Sequence, residues 1–220
     1  LALPQIAIQA LMREVERIRD LTVTELRRSL AGAASDRHDR PKAVAQSLSD
    51  AVGDYTAALN RKPLPQDIAD VLPDLLQSTE KLNVVLHTLP EADRLRDRIS
   101  APVPQPQKAL DAFRAAAEQV LSGADGDGRE PEEPNVGDPA ALLEIRYRQL
   151  REEALAAAAQ GQFSASAMTD VLRYATLMRR MLKLTRRASS SLAGVQAFLD
   201  KGPDAETDAE TDAETEVETA

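Results

Sequence analysis

The sequence has no cysteine and no tryptophan, and aromatic residues make up only 3% of its 220 residues. Without cysteine the chain can form no disulfide, no thiolate metal site and no thiol nucleophile. No uncharged stretch approaches the roughly 20 residues that a membrane-spanning helix needs. These absences exclude a disulfide scaffold, and we expect this stretch of chain to be soluble.

Residues with catalytic potential are also scarce. The two histidines are His38, in a polar linker, and His87, among apolar residues, and they do not have the spacing of zinc ligands. No glycine-rich phosphate loop is present. The segment "DGDGRE", residues 125–130, departs from a calcium loop because Arg129 stands at the fifth position and Glu130 at the sixth. We therefore expect no enzyme activity and no cofactor.

The formal net charge of −9 is unevenly distributed. From Lys201 onward, one lysine stands against eight acids, a net −7. Residues 123–138 hold six acids and one arginine, a net −5. The helical remainder is therefore close to +3, which is too little for a nucleic-acid footprint, and we expect no nucleic-acid partner.

Apolar residues recur every three or four positions, which is typical of helices, and alternating strand patterns are missing. The sequence predicts an all-α protein, with a kink or break at Pro73 and Pro90. Linkers are predicted at 32–41, 100–107 and 123–139, where proline, glycine and small polar residues concentrate. The predicted helices are Pro4–Leu30, Pro41–Asn60, Pro65–Ile99, Gln107–Leu121, Pro139–Gln160 and Ser164–Leu199.

The triplet Asp-Val-Leu at residues 70–72 returns at 170–172, in each case at the start of a long helix. This offset predicts two tandem three-helix units, residues 1–100 and 101–200, with the acidic loop 123–139 in the second. The tail, 201–220, repeats acids with alanine and threonine and is predicted to be disordered. It is either a solubilising terminus or a docking segment. Because the chain begins with Leu1, we expect it to be part of a longer protein.

Two stretches carry a family resemblance: "DAVGDYTAALNRKPLPQDIADVLPDLLQSTEKL", residues 50–82, and "RYRQLREEALAAAAQGQFSASAMTDVLRYATLMRRMLKLTRRASSSLAG", residues 146–194. They resemble the helical hairpins of a PhoU-like domain, and most closely the module that follows the membrane part of bacterial sodium/phosphate cotransporters. The resemblance covers residues 4–200. It implies a pair of three-helix bundles and a part in phosphate transport at the cytoplasmic face of the cell membrane.

PhoU-like domains often bind metal through Glu-x-x-x-Asp motifs, in which two carboxylates share one helical face. At the matching positions the third helix has Glu80 and Val84, and the sixth has Arg180 and Leu184. Both motifs lack a necessary carboxylate, so the metal-binding feature is not carried over.

Glu16 and Asp20 do have the Glu-x-x-x-Asp spacing, on the first helix. Arginines flank them at positions 13, 17 and 19, and ordinary surface pairing explains the two acids better than a metal site. They remain weak metal candidates.

The sixth helix carries six cations and a single acid, Asp170, over residues 164–199. Apolar residues occupy the opposite side of its helical projection, which indicates a core-facing helix with a cationic outer face. One interpretation is a solvated face paired with acids of neighbouring helices. The other is a surface for anionic lipid headgroups, phosphate or an acidic partner. The cations are Arg173, Arg179, Arg180, Lys183, Arg186 and Arg187.

Taken with the resemblance, these features predict a regulatory module of a sodium-dependent phosphate transporter that acts by binding. Its expected partner is the membrane-spanning transporter part, in the same chain upstream, together with anionic lipid headgroups. One alternative is a freestanding, cytoplasmic PhoU-like regulator that acts in trans on phosphate uptake or signalling. The other is a helical scaffold without a phosphate connection. The sequence leaves the oligomeric state open.

Overall fold

The computed structural model of the chain describes residues 2–32, 39–59, 66–99, 104–123, 138–162 and 164–201. Six α-helices fill these ranges, and no strand occurs in them. The all-α prediction is confirmed. The helices are α1 (Ala2–Leu30), α2 (Asp39–Leu59), α3 (Gln66–Arg98), α4 (Pro104–Gly123), α5 (Pro139–Ala159) and α6 (Ala165–Lys201).

Side-chain capping is visible at the helix ends in the second half of the chain. Asp138 caps α5, accepting a 3.0 Å hydrogen bond from the backbone N–H of Ala140, with Pro139 in the first turn. Ser164 Oγ accepts the N–H of Ala167 at 3.1 Å before α6. Gly161 follows α5 with φ 70°, a backbone conformation that favours glycine.

Two sequence expectations about proline need correction. α3 is a single helix through Pro73 and Pro90, so neither proline breaks it, while the kink stays a prediction. Its core-facing side chains are held by neighbouring helices on both sides of each proline. α4 begins at Pro104, three residues before the predicted start, because a helix's first turn has no intrahelical use for the N–H groups that prolines lack. For the same reason Pro41 is accepted near the start of α2, which begins at Asp39.

Two apolar clusters form the core, and α1, α3 and α6 contribute to both. The first cluster joins the second halves of α1 and α3 to the first half of α6, and α4 and α5 cover it. Phe113 and Tyr174 are among its fully buried side chains. The second cluster joins the other halves of these long helices, and α2 covers it. α6 therefore runs antiparallel to α3 along most of the bundle.

The division into two units at residue 100 stays a prediction. The helices within each proposed unit do contact one another, but α3 and α6, from different units, form the most extensive helix pair among the described residues. Both core clusters include residues from both sides of the proposed boundary. The acidic tail from residue 202 and the centre of the acidic loop lie outside the described residues.

The described helices differ in hydropathy along their lengths. None combines the length and the apolar character required to cross a membrane.

Candidate functional site

The six cations between residues 164 and 199 lie on the outer side of α6, as the sequence predicts, and the structure divides them into two groups. Arg173 reaches Glu91 of α3, with 2.6 Å between Nη2 and Oε1. Arg179 reaches Glu144 of α5, also at 2.6 Å, and its guanidinium lies 4.9 Å from the ring centre of Tyr147. The hydrogen bond that Arg179 donates to Glu144 raises the pKa of Arg179, although burial opposes the shift. These two arginines connect α6 to its neighbours.

Arg186 also faces an acid. Its Nη1 lies 3.7 Å from Oδ2 of Asp138, the residue that caps α5. The Asp138 side chain is only 14% exposed, so this pair is better shielded from solvent than the pairs of Arg173 and Arg179. Arg173, Arg179 and Arg186 thus each pair with an acid of another segment, as the first interpretation of the sequence expects.

The remaining cations, Arg180, Lys183 and Arg187, are exposed. Within the part of the chain that the structure describes, none of them forms an ion pair or a side-chain hydrogen bond. Spacings of three and four residues place them on one face of α6. We call these three residues the basic face.

No acidic residue of α6 lies close to the basic face. No acid occurs between Asp170 and Asp200, so no carboxylate stands one helical turn away. Seven residues of helix separate its ends, a length of about 10 Å. Each of the three charges therefore lies within about one Debye length of the next, since this length is about 8 Å at physiological salt. The charges act together on an approaching anion.

The opposite side of α6 fixes the orientation of the basic face. Tyr174, Met181, Ala188 and Leu192 are almost fully buried in the two core clusters. α6 cannot rotate about its axis without exposing these side chains, and burial of each large apolar side chain stabilises the fold by about 1.5–3 kcal/mol. The three cations are therefore held outward on a rigid helix.

The weak metal candidates Glu16 and Asp20 have other neighbours. Asp20 accepts hydrogen bonds from Arg19 at 2.9 and 3.1 Å. Glu16 lies with Arg13 on the wall of a groove of about 210 Å³, between the start of α1 and the end of α6. Across the described residues, no three histidine, aspartate or glutamate side chains come close enough to share a metal ion.

Sequence reasoning missed a buried polar cluster between α1 and α3. Asp93 is fully buried and Arg96 is only 7% exposed. Arg96 Nη1 donates to Asp93 Oδ1 at 2.9 Å and to the backbone oxygen of Ser29 at 2.8 Å. A signal was present, because both residues continue the three- and four-residue spacing of apolar positions that includes Leu89. Charged residues at core positions mark such a cluster.

Tyr174 is the second missed feature. Its hydroxyl is buried and has no hydrogen-bond partner among the described residues. The guanidinium of Arg114 lies 5.7 Å from the centre of its ring. Burial raises the pKa of Tyr174, and Arg114 opposes this with a smaller effect. The tyrosine packs as a core residue with one polar atom left over.

The histidines supply no catalytic pair in the described residues. His87 is exposed, and its Nε2 lies 3.3 Å from Oε1 of Gln46 on α2, so it lies at a helix edge. His38 and the segment 125–130 lie outside the described residues. The basic face is thus the described feature with the clearest chemical use, which is to bind an anion.

Comparison with known proteins identifies no relative. The chain matches no protein-family model, no curated protein and no solved structure.

Proposed function

We propose that this protein is a regulatory module that binds and does not catalyse, and that it controls a sodium-dependent phosphate transporter from the cytoplasmic face of the membrane. The transporter assignment comes from the resemblance of residues 50–82 and 146–194 to PhoU-like hairpins. The mode of action comes from the basic face. The one observation that carries it is that Arg180, Lys183 and Arg187 stay exposed and form no ion pair within the described residues, whereas Arg173, Arg179 and Arg186 are paired.

The protein is acidic overall, so its attraction to an anionic membrane depends on where positive charge is exposed on its surface. The chain as a whole carries −9, so a membrane of negative headgroups repels it on average. Only a local cationic surface can dock it in a defined orientation. The basic face is such a surface, and the buried side of α6 holds it in place. Headgroup phosphates approaching this face of α6 meet three cations, and no carboxylate stands on the helix between Asp170 and Asp200.

The expected strength of docking follows from the number of charges. Each lysine or arginine near an anionic leaflet is worth about 1 kcal/mol. Three of them amount to about 3 kcal/mol, or roughly a hundredfold in affinity, since every 1.4 kcal/mol is tenfold. Such weak binding suits a module whose attachment to the transporter is regulated, and it disappears at high salt.

The test uses two variants with the same change in charge. The basic-face variant carries Arg180→Glu, Lys183→Glu and Arg187→Glu. The scattered-charge variant carries Arg94→Glu, Arg148→Glu and Arg151→Glu, three exposed arginines on α3 and α5. Each is introduced into the gene that encodes this chain, and phosphate uptake by the cells is measured at low and high external phosphate, together with the amount of protein in the membrane fraction.

We expect the basic-face variant to lose the dependence of uptake rate on external phosphate, at an unchanged amount of protein. The scattered-charge variant should behave as the wild type. Uptake that is identical in all three strains, at every phosphate level, would contradict the proposal and favour a helical scaffold without a phosphate connection.

A further inference from the structure

The acidic tail has a regularity that charge alone does not require. From Asp204 to Glu218, all eight acids stand at even positions, with alanine, threonine or valine between them. In an extended chain, every second side chain points to the same side. An extended tail would therefore present a single row of carboxylates, spaced about 6.6 Å apart.

The tail is attached to the helix that carries the basic face. α6 ends at Lys201, 14 residues after Arg187 and 21 residues after Arg180. At 1.5 Å per residue, these cations lie about 21 and 32 Å back along the helix. A reversed, extended chain covers 32 Å with about 10 residues, and the segment 202–220 has 19. The tail is thus long enough to reach the whole basic face.

The distances also set a register. Counted from Pro203, where the chain turns back, a run along α6 brings Glu210 about 23 Å and Asp212 about 30 Å from the helix end. These values are close to the positions of Arg187 and Arg180, about 21 and 32 Å from that end, and Lys183 lies between them. The row of acids can therefore lie opposite the row of cations along the same length of helix.

The described surface along this path is open. Gly194 is exposed, and a side chain added there would meet no atom within 4 Å. Phe198 is 40% exposed on the same side of α6, nearer its end. Gly194 and Phe198 are therefore exposed between the basic face and the end of the helix, and the surface there has room for the backbone of the tail.

We propose that the acidic tail, residues 202–220, folds back along α6 and occupies the basic face in cis. The tail then competes with anionic headgroups and acts as an autoinhibitory segment. This role rests on the proposed function of the basic face, whereas the contact itself does not. Because the tail is tethered, its effective concentration at the face is in the millimolar range, so weak ion pairs suffice to populate the contact.

The contact is tested by paramagnetic relaxation on the full chain. The natural sequence has no cysteine, so Ala213→Cys gives a single site for a spin label next to Asp212. The measured quantity is the loss of amide signal at residues 180–187, compared with residues 111–119 of α4. We expect a severalfold loss at 180–187 at low salt and recovery at about 1 M salt, where the Debye length is about 3 Å.

Combining Ala213→Cys with the basic-face variant should abolish this loss, and combining it with the scattered-charge variant should preserve it. Equal losses in both variants, or no loss at 180–187, would overturn the proposal. A loss seen when labelled protein is mixed with an isotope-labelled chain without cysteine would also overturn it, because the contact would then be between copies.

A vesicle assay separates this proposal from the proposed function. In the tail-neutralised variant every aspartate and glutamate from 204 to 218 becomes asparagine or glutamine. We expect this variant to bind phosphatidylglycerol vesicles about tenfold more tightly than the wild type at low salt. Unchanged affinity would overturn autoinhibition. If neither protein binds vesicles while the relaxation effect is present, the docking function fails and the contact between tail and basic face stands.

Discussion

Ser29 Oγ donates a 2.5 Å hydrogen bond to Asp93 Oδ1, joining the end of α1 to the last third of α3. Arg96 strengthens this connection, since its Nη1 binds both Asp93 and the backbone oxygen of Ser29. The Ser29 carbonyl at the end of α1 also accepts the N–H of Gly32 at 3.2 Å, and Arg96 adds a charged donor to it. Apolar packing alone does not fix a unique register between two helices. The cluster of Ser29, Asp93 and Arg96 adds contacts that specify how α1 and α3 align.

Replacing Asp93 with alanine should destabilise the protein strongly. The change leaves Arg96 buried beside an empty position, although Asp97 still accepts from it at 2.8 Å. Breaking a buried pair in this way costs about 3–5 kcal/mol. Urea unfolding followed by circular dichroism measures the loss. The control, Asp20→Ala, removes a 68% exposed partner of Arg19 and should cost less than about 1 kcal/mol. Equal losses in the two variants would mean that the buried cluster has no special weight.

Ser29→Ala tests the hydrogen bond that reaches Asp93 from α1. It removes one donor from a fully buried carboxylate, and we expect a loss of about 1–3 kcal/mol in the free energy of unfolding. Ser47→Ala, at an exposed position of α2, is the matched control and should change stability by less than about 0.5 kcal/mol. In an Asp93→Ala background the effect of Ser29→Ala should shrink, because its acceptor is gone. Full additivity would contradict a direct interaction.

Tyr174→Phe should stabilise the protein by about 1 kcal/mol, because it removes a buried hydroxyl that has no partner among the described residues. Burial raises the pKa of Tyr174 above its ordinary value of 10.0. The unfolded chain therefore releases this proton at a lower pH than the folded chain. The wild type therefore loses no stability through this ionisation below pH 10.0, and it loses stability progressively as the pH rises above 10.0.

The advantage of Tyr174→Phe over the wild type should accordingly widen above pH 10.0. Urea unfolding of both proteins at neutral pH and above pH 10.0 measures this difference. A wild type more stable than the variant at neutral pH would show that the hydroxyl makes a hydrogen bond in solution.

Arg179 and Arg180 are neighbours in sequence with different expected roles. Arg179→Gln removes the bond to Glu144 and the stacking on Tyr147, and should lower the free energy of unfolding by about 1 kcal/mol. Arg180→Gln should leave stability unchanged within about 0.5 kcal/mol. Binding to anionic vesicles should show the reverse order, with the greater loss for Arg180→Gln. The same loss of vesicle binding in both variants would mean that paired and unpaired cations of α6 are equivalent.

Sequence periodicity predicted the all-α fold because each helix keeps an apolar stripe and most of its ends carry recognisable residues, such as Asp138 with Pro139. The observed helix bounds differ from the predicted ones where the prediction treated proline as a stronger helix breaker than it is. Pro73 and Pro90 looked like interruptions, but packing along both sides of α3 outweighs the lost backbone hydrogen bonds. Local propensity contains no information on that packing.

The basic face could be predicted only as part of a larger set. The six cations between residues 164 and 199 share the outer side of the helical projection, and the partners of the paired ones come from residues distant in sequence. Glu91 lies 82 positions from Arg173, and Glu144 lies 35 positions from Arg179. Which charges remain unneutralised depends on how α3 and α5 pack on α6, and helical spacing does not encode that. The spacing of Asp93 and Arg96 did carry a signal for the buried cluster, but it does not identify Ser29 of α1 as their partner.

The most direct test of docking is sedimentation with vesicles with and without phosphatidylglycerol, in low and high salt. The proteins compared are the wild type, the tail-neutralised variant, the basic-face variant and the scattered-charge variant. We expect binding only with phosphatidylglycerol and at low salt. The affinity should be highest for the tail-neutralised variant and similar for the wild type and the scattered-charge variant. The basic-face variant should bind about a hundredfold more weakly than the wild type. Binding by the basic-face variant as strong as that of the wild type would contradict the assignment of Arg180, Lys183 and Arg187 as the docking surface.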